Sequence, residues 1–117
     1  MDIASCFEIE IEFHDRKLRQ LSENLALQNR SLGADCAKKL RTRLSDLEAA
    51  ANVQELTAGH PHPLTGTRAS QFSLNLTGGV RLVFVANHEP APLTVDGSID
   101  WALVTRVRIV FIGDYHD

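Results

Sequence analysis

The sequence predicts an α+β fold in which an N-terminal strand, a helical hairpin and an antiparallel strand meander follow one another. Two segments with helical spacing of apolar residues lie between stretches in which apolar and polar residues alternate as they do in strands. The chain has 117 residues, of which 44% are hydrophobic, so we expect residues 1–117 to form a single domain around one core. The hydrophobic content also excludes intrinsic disorder.

The N-terminal half predicts the first strand and two helices. Residues 7–13 alternate apolar and acidic side chains, which is typical of a half-buried strand. Asp15 can cap a helix over about residues 16–27, and residues 29–33 interrupt the helical pattern. The second helix has one apolar face, formed by Cys36, Leu40, Leu44, Leu47 and Ala51, and is expected to stop at Asn52.

The segment after the helices predicts a loop and a β-hairpin. Prolines and glycines within residues 57–68 indicate the loop. Residues 72–76 alternate apolar and polar side chains, and a glycine pair at 78–79 predicts a tight turn into a partner strand over 80–86. The polar face of the first of these strands is expected to carry Ser73 and Asn75.

The last predicted element is a strand over residues 104–112, which follows a loop over 87–100. The alternation places Val107, Ile109 and Phe111 on one face and Arg106 and Arg108 on the other. We therefore expect the strands of the C-terminal half to form the antiparallel meander, with the helices packed on one side of the sheet.

Composition excludes several classes of protein. The net charge of −3 argues against a nonspecific nucleic-acid binder, although four basic residues cluster within residues 38–43. No apolar run approaches the roughly 20 residues that a membrane span requires, and the N-terminus lacks the pattern of a secretory signal. Cys6 and Cys36 are too few for a disulfide scaffold and have no zinc-site spacing, so we expect a cytoplasmic protein.

Three features carry the side chains best suited to chemistry: the loop around His62, Arg81 on the polar side of a strand, and the ending at residues 114–116. Each also has a simpler interpretation as a polar loop residue, a surface cation or a frayed terminus. His60 and His62 could in principle share a metal with His116. However, prolines flank both loop histidines and no cysteine or carboxylate completes a ligand set, so we expect no metal and no other cofactor.

Five segments, taken in order, resemble a known family. They are Ala37–Leu44 (AKKLRTRL), His62–Arg68 (HPLTGTR), Gln71–Leu74 (QFSL), Val80–Phe84 (VRLVF) and Asp114–His116 (DYH). Together they resemble the HigB-type toxins of the RelE/ParE superfamily, which belong to type II toxin–antitoxin systems and are also known as plasmid-maintenance killer proteins. The resemblance extends from Ile9 to His116 and implies one toxin domain with the RelE/ParE-like, microbial RNase-like fold.

The resemblance implies a ribosome-dependent mRNA endoribonuclease, or mRNA interferase, that inhibits translation. Such a hydrolase acts on mRNA in the A site of the 30S ribosomal subunit and is held inactive by a HigA-like helix-turn-helix antitoxin, with no membrane partner. Cleavage needs no metal: the 2′-hydroxyl attacks the adjacent phosphate and leaves a cyclic phosphate and a free 5′-hydroxyl.

The resemblance also implies which residues carry this chemistry. His62 and His116 match the family's histidines, and imidazoles can remove the 2′-hydroxyl proton and protonate the leaving oxygen, in either order. Arg68 and Arg81 match its arginines, whose guanidinium groups can hold the negative charge that develops on the phosphate.

Two further catalytic residues and a binding surface follow from the same resemblance. Tyr115 can stack on a base or bond the phosphate, and Asp114 can orient a histidine or act as the base. The expected RNA- or ribosome-binding residues are Lys38, Lys39, Arg41, Arg43, Arg106 and Arg108.

An alternative from another class is a non-catalytic or gyrase-inhibiting ParE-like toxin that acts by binding protein. The negative net charge favours it, and so does Thr65, because related toxins usually carry lysine there. Position 67 is also threonine, where related toxins usually carry Asp or Asn. Paired titratable groups at 62 and 114–116 favour the nuclease instead.

Overall fold

The computed structural model describes residues 9–114, which form a five-stranded sheet and three α-helices. The strands are β1 (Glu10–Phe13), β2 (His62–Pro63), β3 (Gln71–Asn75), β4 (Val80–Ala86) and β5 (Arg106–Asp114). The helices are α1 (Arg16–Glu23), α2 (Leu25–Leu32) and α3 (Ala34–Ala49), and short 3₁₀ turns lie at Val53–Glu55, Gly66–Arg68 and Trp101–Leu103. This confirms the predicted α+β class.

The sheet has the strand order β1-β5-β4-β3-β2. Strands β2 to β5 pair antiparallel with their neighbours, which confirms the meander, and β1 adds to β5 in parallel. The turn between β3 and β4 is tight, because the Val80 amide donates to the carbonyl of Thr77 at 3.0 Å. The predicted glycine turn and the bounds of β4 are therefore confirmed.

The first helical segment differs from the prediction, because Asn24 divides it into two helices. Asp15 caps α1 as expected and accepts a hydrogen bond from the Leu18 amide at 2.9 Å. Asn24 then ends α1 and caps α2, since its side chain accepts from the Leu27 amide at 3.0 Å. The single helix predicted over residues 16–27 is thus wrong, because an asparagine that ends one helix can cap the next. The interruption predicted at residues 29–33 is also wrong, since α2 continues to Leu32 and only Gly33 separates it from α3.

The core lies between the helices and one face of the sheet. Leu40 and Leu47 of α3 have no exposed surface and pack with Leu74, Leu82 and Ile109 of the strands. The predicted apolar face of α3 is therefore confirmed as far as Leu47. The helix ends at Ala49, so Ala51 and Asn52 lie beyond it.

A β-bulge in β5 changes the face on which Phe111 lies. Phe84 pairs with Ile109, but the preceding Val83 pairs with Phe111, so Val110 is an extra residue in β5. The prediction that Phe111 shares a face with Val107 and Ile109 is therefore wrong. A bulge reverses the alternation beyond it, and the sequence carries no mark of this one.

Three other expectations change in detail. The last strand covers Arg106–Asp114 rather than 104–112, because Val104 follows a 3₁₀ turn. The predicted loop over 57–68 contains the short strand β2. Ser73, expected on the polar face of β3, is a fully buried residue. Within the described part of the chain, none of the helices has the length and apolarity to cross a membrane.

Candidate functional site

The sheet face opposite the helices, called here the distal face, brings several predicted site residues together. His62, Ser73, Val83 and Phe111 pair with one another in a row across β2, β3, β4 and β5. In the next row, Asn75, Arg81 and Gly113 are paired. Because side chains on one face repeat every second residue, the two rows are about 7 Å apart.

His62 lies on β2, the edge strand, and its ring is held by a short contact. Its Nδ1 atom is 2.7 Å from the backbone carbonyl oxygen of His60. A carbonyl oxygen only accepts, so Nδ1 carries the proton in this bond. In the neutral ring Nε2 then keeps its lone pair, which is the state that a general base requires.

Arg68 and Phe111 meet above β4. The guanidinium carbon of Arg68 lies 5.5 Å from the centroid of the Phe111 ring, which is within the range of a cation–π contact. Arg68 extends from the connection between β2 and β3, and Phe111 extends from β5. The two side chains therefore meet over the strands that lie between them. This explains why Val83 has no exposed surface although it faces away from the helices. The sequence analysis missed the role of Phe111, because its pattern placed the ring in the core.

Arg81 occupies the adjacent row and turns back to the β3–β4 turn. Its Nη1 atom donates to the carbonyl of Gly78 at 3.2 Å. Asp114 ends β5 opposite Val80, whose side chain packs against the core, so the pleat places Asp114 on the helix side of the sheet. Of the four described catalytic candidates, the structure therefore gathers His62, Arg68 and Arg81 on one face and leaves Asp114 at its border.

Tyr115 and His116, the other two catalytic candidates, lie outside the described residues. The rings of His60 and His62 are 4.8 Å apart between centroids. Among residues 9–114, no three His, Cys, Asp or Glu side chains are placed to hold a metal ion together. The metal site that would join these two histidines to His116 also involves a residue outside that range.

Strand β3 adds buried polar atoms to the distal face. Gln71 Oε1, Ser73 Oγ and Asn75 Oδ1 are buried and make no hydrogen bond within residues 9–114. All three belong to alternate positions of one strand and therefore face the same side. Buried polar atoms are normally hydrogen-bonded, so β3 has more buried polar side-chain atoms without a partner than the other described strands.

The basic residues predicted to bind RNA or the ribosome have different surroundings. Lys38 is exposed on α3, whereas Arg41 donates to the side-chain oxygen of buried Gln28 at 3.0 Å. Arg43 is 8% exposed and pairs with Asp46 at 2.6 Å. Arg43 is therefore a buried residue and not the exposed cation that an RNA- or ribosome-binding role requires, and its stem packs against Gly59.

The two arginines of β5 that were predicted to bind RNA or the ribosome interact with acidic or amide side chains of neighbouring segments. Arg106 forms an ion pair with Glu10 of β1 at 3.1 Å. Arg108 donates to the Asn87 side chain at 2.8 Å, and Asn87 in turn donates to Glu12 at 2.7 Å. The β1–β5 part of the distal face is thus balanced in charge, while His62, Arg68 and Arg81 lie toward β2, β3 and β4.

The distal face carries the kinds of side chain that binding and cleavage of a phosphodiester require. A histidine with an accepting Nε2 lies on the same face as two guanidinium groups, which stay charged and bind phosphate oxygens in a planar, forked geometry. Lys39, another of the predicted RNA- or ribosome-binding residues, is half-buried. It lines a cleft of about 390 Å³ on the other side of the β3–β4 turn, together with Lys38, Asp35, Thr42 and Thr77.

Comparisons with known proteins identify the fold. No protein-family model matches the chain, and no curated protein matches it. A solved structure described as a YoeB/ParE toxin from Agrobacterium tumefaciens is similar, with a TM-score of 0.56, 13% identity, and coverage of 92% of this chain and 100% of that one. A YoeB–YefM complex from Staphylococcus aureus gives a TM-score of 0.55, 14% identity, and coverage of 93% and 98%. The chain therefore has the fold of the YoeB/ParE toxin structures.

Proposed function

We propose that this chain is the toxin of a type II toxin–antitoxin system and that it cleaves mRNA on the ribosome. The observation that carries the proposal is that His62 and Arg81 lie in adjacent rows of one sheet face, which Arg68 joins through its contact with Phe111. The similar structures include one described as a toxin. A residue that can move a proton and two groups that bind phosphate are what cleavage by the 2′-hydroxyl requires.

The tautomer of His62 supports its role as the base. Nε2 accepts the proton of the 2′-hydroxyl, the freed oxygen attacks the phosphorus, and the bond from phosphorus to the 5′-oxygen breaks. His116 supplies the proton that the leaving 5′-oxygen needs, and a 2′,3′-cyclic phosphate remains. Arg68 and Arg81 hold the non-bridging oxygens as they gain charge, and Tyr115 stacks on a neighbouring base.

The proposed partners are a HigA-like antitoxin and the 30S A site with its mRNA. One of the similar structures is a complex of YoeB with YefM, which supports a protein partner for this chain. Lys38 and Lys39 remain the best placed of the predicted cations for ribosome contact, because Arg43 is buried and Arg106 is paired with Glu10. Co-purification with a helix-turn-helix protein encoded by a neighbouring gene tests the antitoxin.

A second candidate is a ParE-like toxin that inhibits gyrase or acts by binding alone. The net charge of −3 and the pairing of Arg106 with Glu10 favour it, since both weaken attraction to RNA. One of the similar structures also carries ParE in its description.

Brief induction of the chain without its antitoxin separates these candidates. We expect new 5′-hydroxyl ends inside translated codons, and we expect none with His62→Asn or His116→Ala at equal protein level. Growth arrest with intact mRNA and altered plasmid supercoiling would instead establish the gyrase candidate. Arrest and cleavage that persist in both histidine variants would contradict the proposed catalytic site.

A further inference from the structure

We infer that Phe111 is a positioning residue that fixes the guanidinium plane of Arg68 above the distal face. The consequence for cleavage rests on the proposed function, but the positioning itself is a structural property. Nothing in the sequence pattern suggests this role, because Phe111 follows Val107 and Ile109 at the spacing of a core residue.

The bulge at Val110 is what gives Phe111 this position. Val83 pairs with Phe111, whereas Phe84 pairs with Ile109, so the side chains of Ile109 and Phe111 point to opposite faces. The bulge thereby places a large apolar ring among polar and charged groups instead of in the core. Bulges commonly redirect a side chain in this way next to functional sites.

The contact restrains a long side chain. Arginine has a long side chain with many rotamers, and each contact along it reduces the number of orientations that the guanidinium samples. The centroid of the Phe111 ring lies 5.5 Å from the Arg68 guanidinium carbon, and Val83, which pairs with Phe111, has no exposed surface. A ring on one side therefore favours a limited set of guanidinium planes.

Gly113 provides the space that the ring needs. It lies two residues after Phe111 on the same face, and a Cβ atom there would be 3.0 Å from Phe111 Cζ. Such a distance is tighter than ordinary van der Waals contact, so an alanine at 113 would push the ring. Gly113→Ala thus perturbs the pair without altering either partner.

Loss of the ring is expected to keep the charge of Arg68 but to widen the range of guanidinium orientations. A cation–π contact of this kind corresponds to about a 3- to 10-fold effect on an equilibrium. We therefore expect Phe111→Leu to lower the rate of mRNA cleavage by about 3- to 10-fold. Its pH profile is expected to stay unchanged, because His62 is untouched. Phe111→Tyr retains the ring and is expected to restore the rate.

The direct test is the NMR spectrum of the Arg68 side chain in the whole chain. The ring current of Phe111 should shift the Arg68 resonances in the wild type and in Phe111→Tyr, and this shift should disappear in Phe111→Leu and change in Gly113→Ala. Phe13→Leu, on β1 and opposite Ile109, is the matched control and should leave the Arg68 resonances unchanged.

Cleavage of ribosome-bound mRNA is then measured for the same variants. Arg68 resonances that do not respond to Phe111→Leu would overturn the positioning role, whatever the activity. A lost shift with a wild-type cleavage rate would overturn its consequence for catalysis. If the wild type itself does not cleave, the proposed function fails, and the NMR result alone still decides whether Phe111 positions Arg68.

Discussion

The Asp114 carboxylate lies against Gly79, so close that a Cβ atom at this glycine would be 2.7 Å from Asp114 Oδ2. The missing side chain at Gly79 therefore makes room for the carboxylate at the end of β5. The same β3–β4 turn accepts the hydrogen bond of Arg81 through the carbonyl of Gly78. One short turn thus contacts a catalytic candidate on each side of the sheet.

Replacement of Gly79 by alanine is expected to displace the Asp114 carboxylate with little loss of stability. Asp114 is exposed, so we expect a change below about 1 kcal/mol in the free energy of unfolding. Gly78→Ala is the matched control: Gly78 has a φ of 56° and open space around it. That control should cost about 1 kcal/mol and leave Asp114 in place. Carboxyl NMR and denaturant unfolding measure both effects, and an unmoved Asp114 signal in Gly79→Ala would contradict the contact.

Arg43 is expected to contribute to stability and not to RNA binding. Its side chain is buried and paired with Asp46, so Arg43→Ala should lower the free energy of unfolding by about 1–3 kcal/mol. Lys38→Ala changes an exposed residue of the same helix and should stay within about 0.5 kcal/mol. Denaturant unfolding of the two variants checks this, and equal stabilities would show that the Arg43 pairing has no energetic importance.

Ser73→Ala is expected to leave the free energy of unfolding unchanged or to raise it by up to about 1 kcal/mol. The Ser73 hydroxyl is fully buried and has no partner within residues 9–114, so its removal relieves a desolvated polar group. Thermal and denaturant unfolding give the answer. A loss above about 1 kcal/mol would mean that the hydroxyl makes a hydrogen bond.

The loop tip around Asp96 is expected to lose order in acid. The hydrogen bond from the Thr94 hydroxyl, followed by that from the Ser98 amide, lowers the pKa of Asp96 below its ordinary value of 3.8. The folded loop therefore binds fewer protons than the unfolded chain does. Its stabilisation is complete above that ordinary value and is lost as pH falls through the lowered pKa. The Ser98 amide resonance should report this transition, and Asp96→Asn should abolish it.

Local patterns predicted much of the fold. The apolar face of α3 and the bounds of β4 follow from periodicity, and the turn at Gly78–Gly79 and the cap at Asp15 follow from residue chemistry. These features depend on neighbours in sequence, which is why they could be predicted without knowledge of the tertiary structure.

Features that depend on distant contacts could not be predicted in this way. The bulge at Val110 exists only relative to the register with β4, and the burial of Arg43 depends on the chain at Gly59. Residue chemistry suggested His62 and Arg81 as site residues, but that they share a face follows from strand pairing. Arg68 joins that face through its contact with Phe111. Phe111 carries no signal in the sequence, because its spacing is that of a core residue.

The most direct test of the account compares the same substitution at two neighbouring histidines. His60 contributes a backbone carbonyl, which asparagine retains, and asparagine tolerates the φ of 49° at this position. Purified His62→Asn and His60→Asn are assayed for the rate of cleavage of ribosome-bound mRNA, with 2′,3′-cyclic phosphate and 5′-hydroxyl ends as products. We expect His62→Asn to be slower than the wild type by about 100-fold or more and His60→Asn to remain within about 3-fold. A folded His62→Asn that cleaves at the wild-type rate would contradict the central claim.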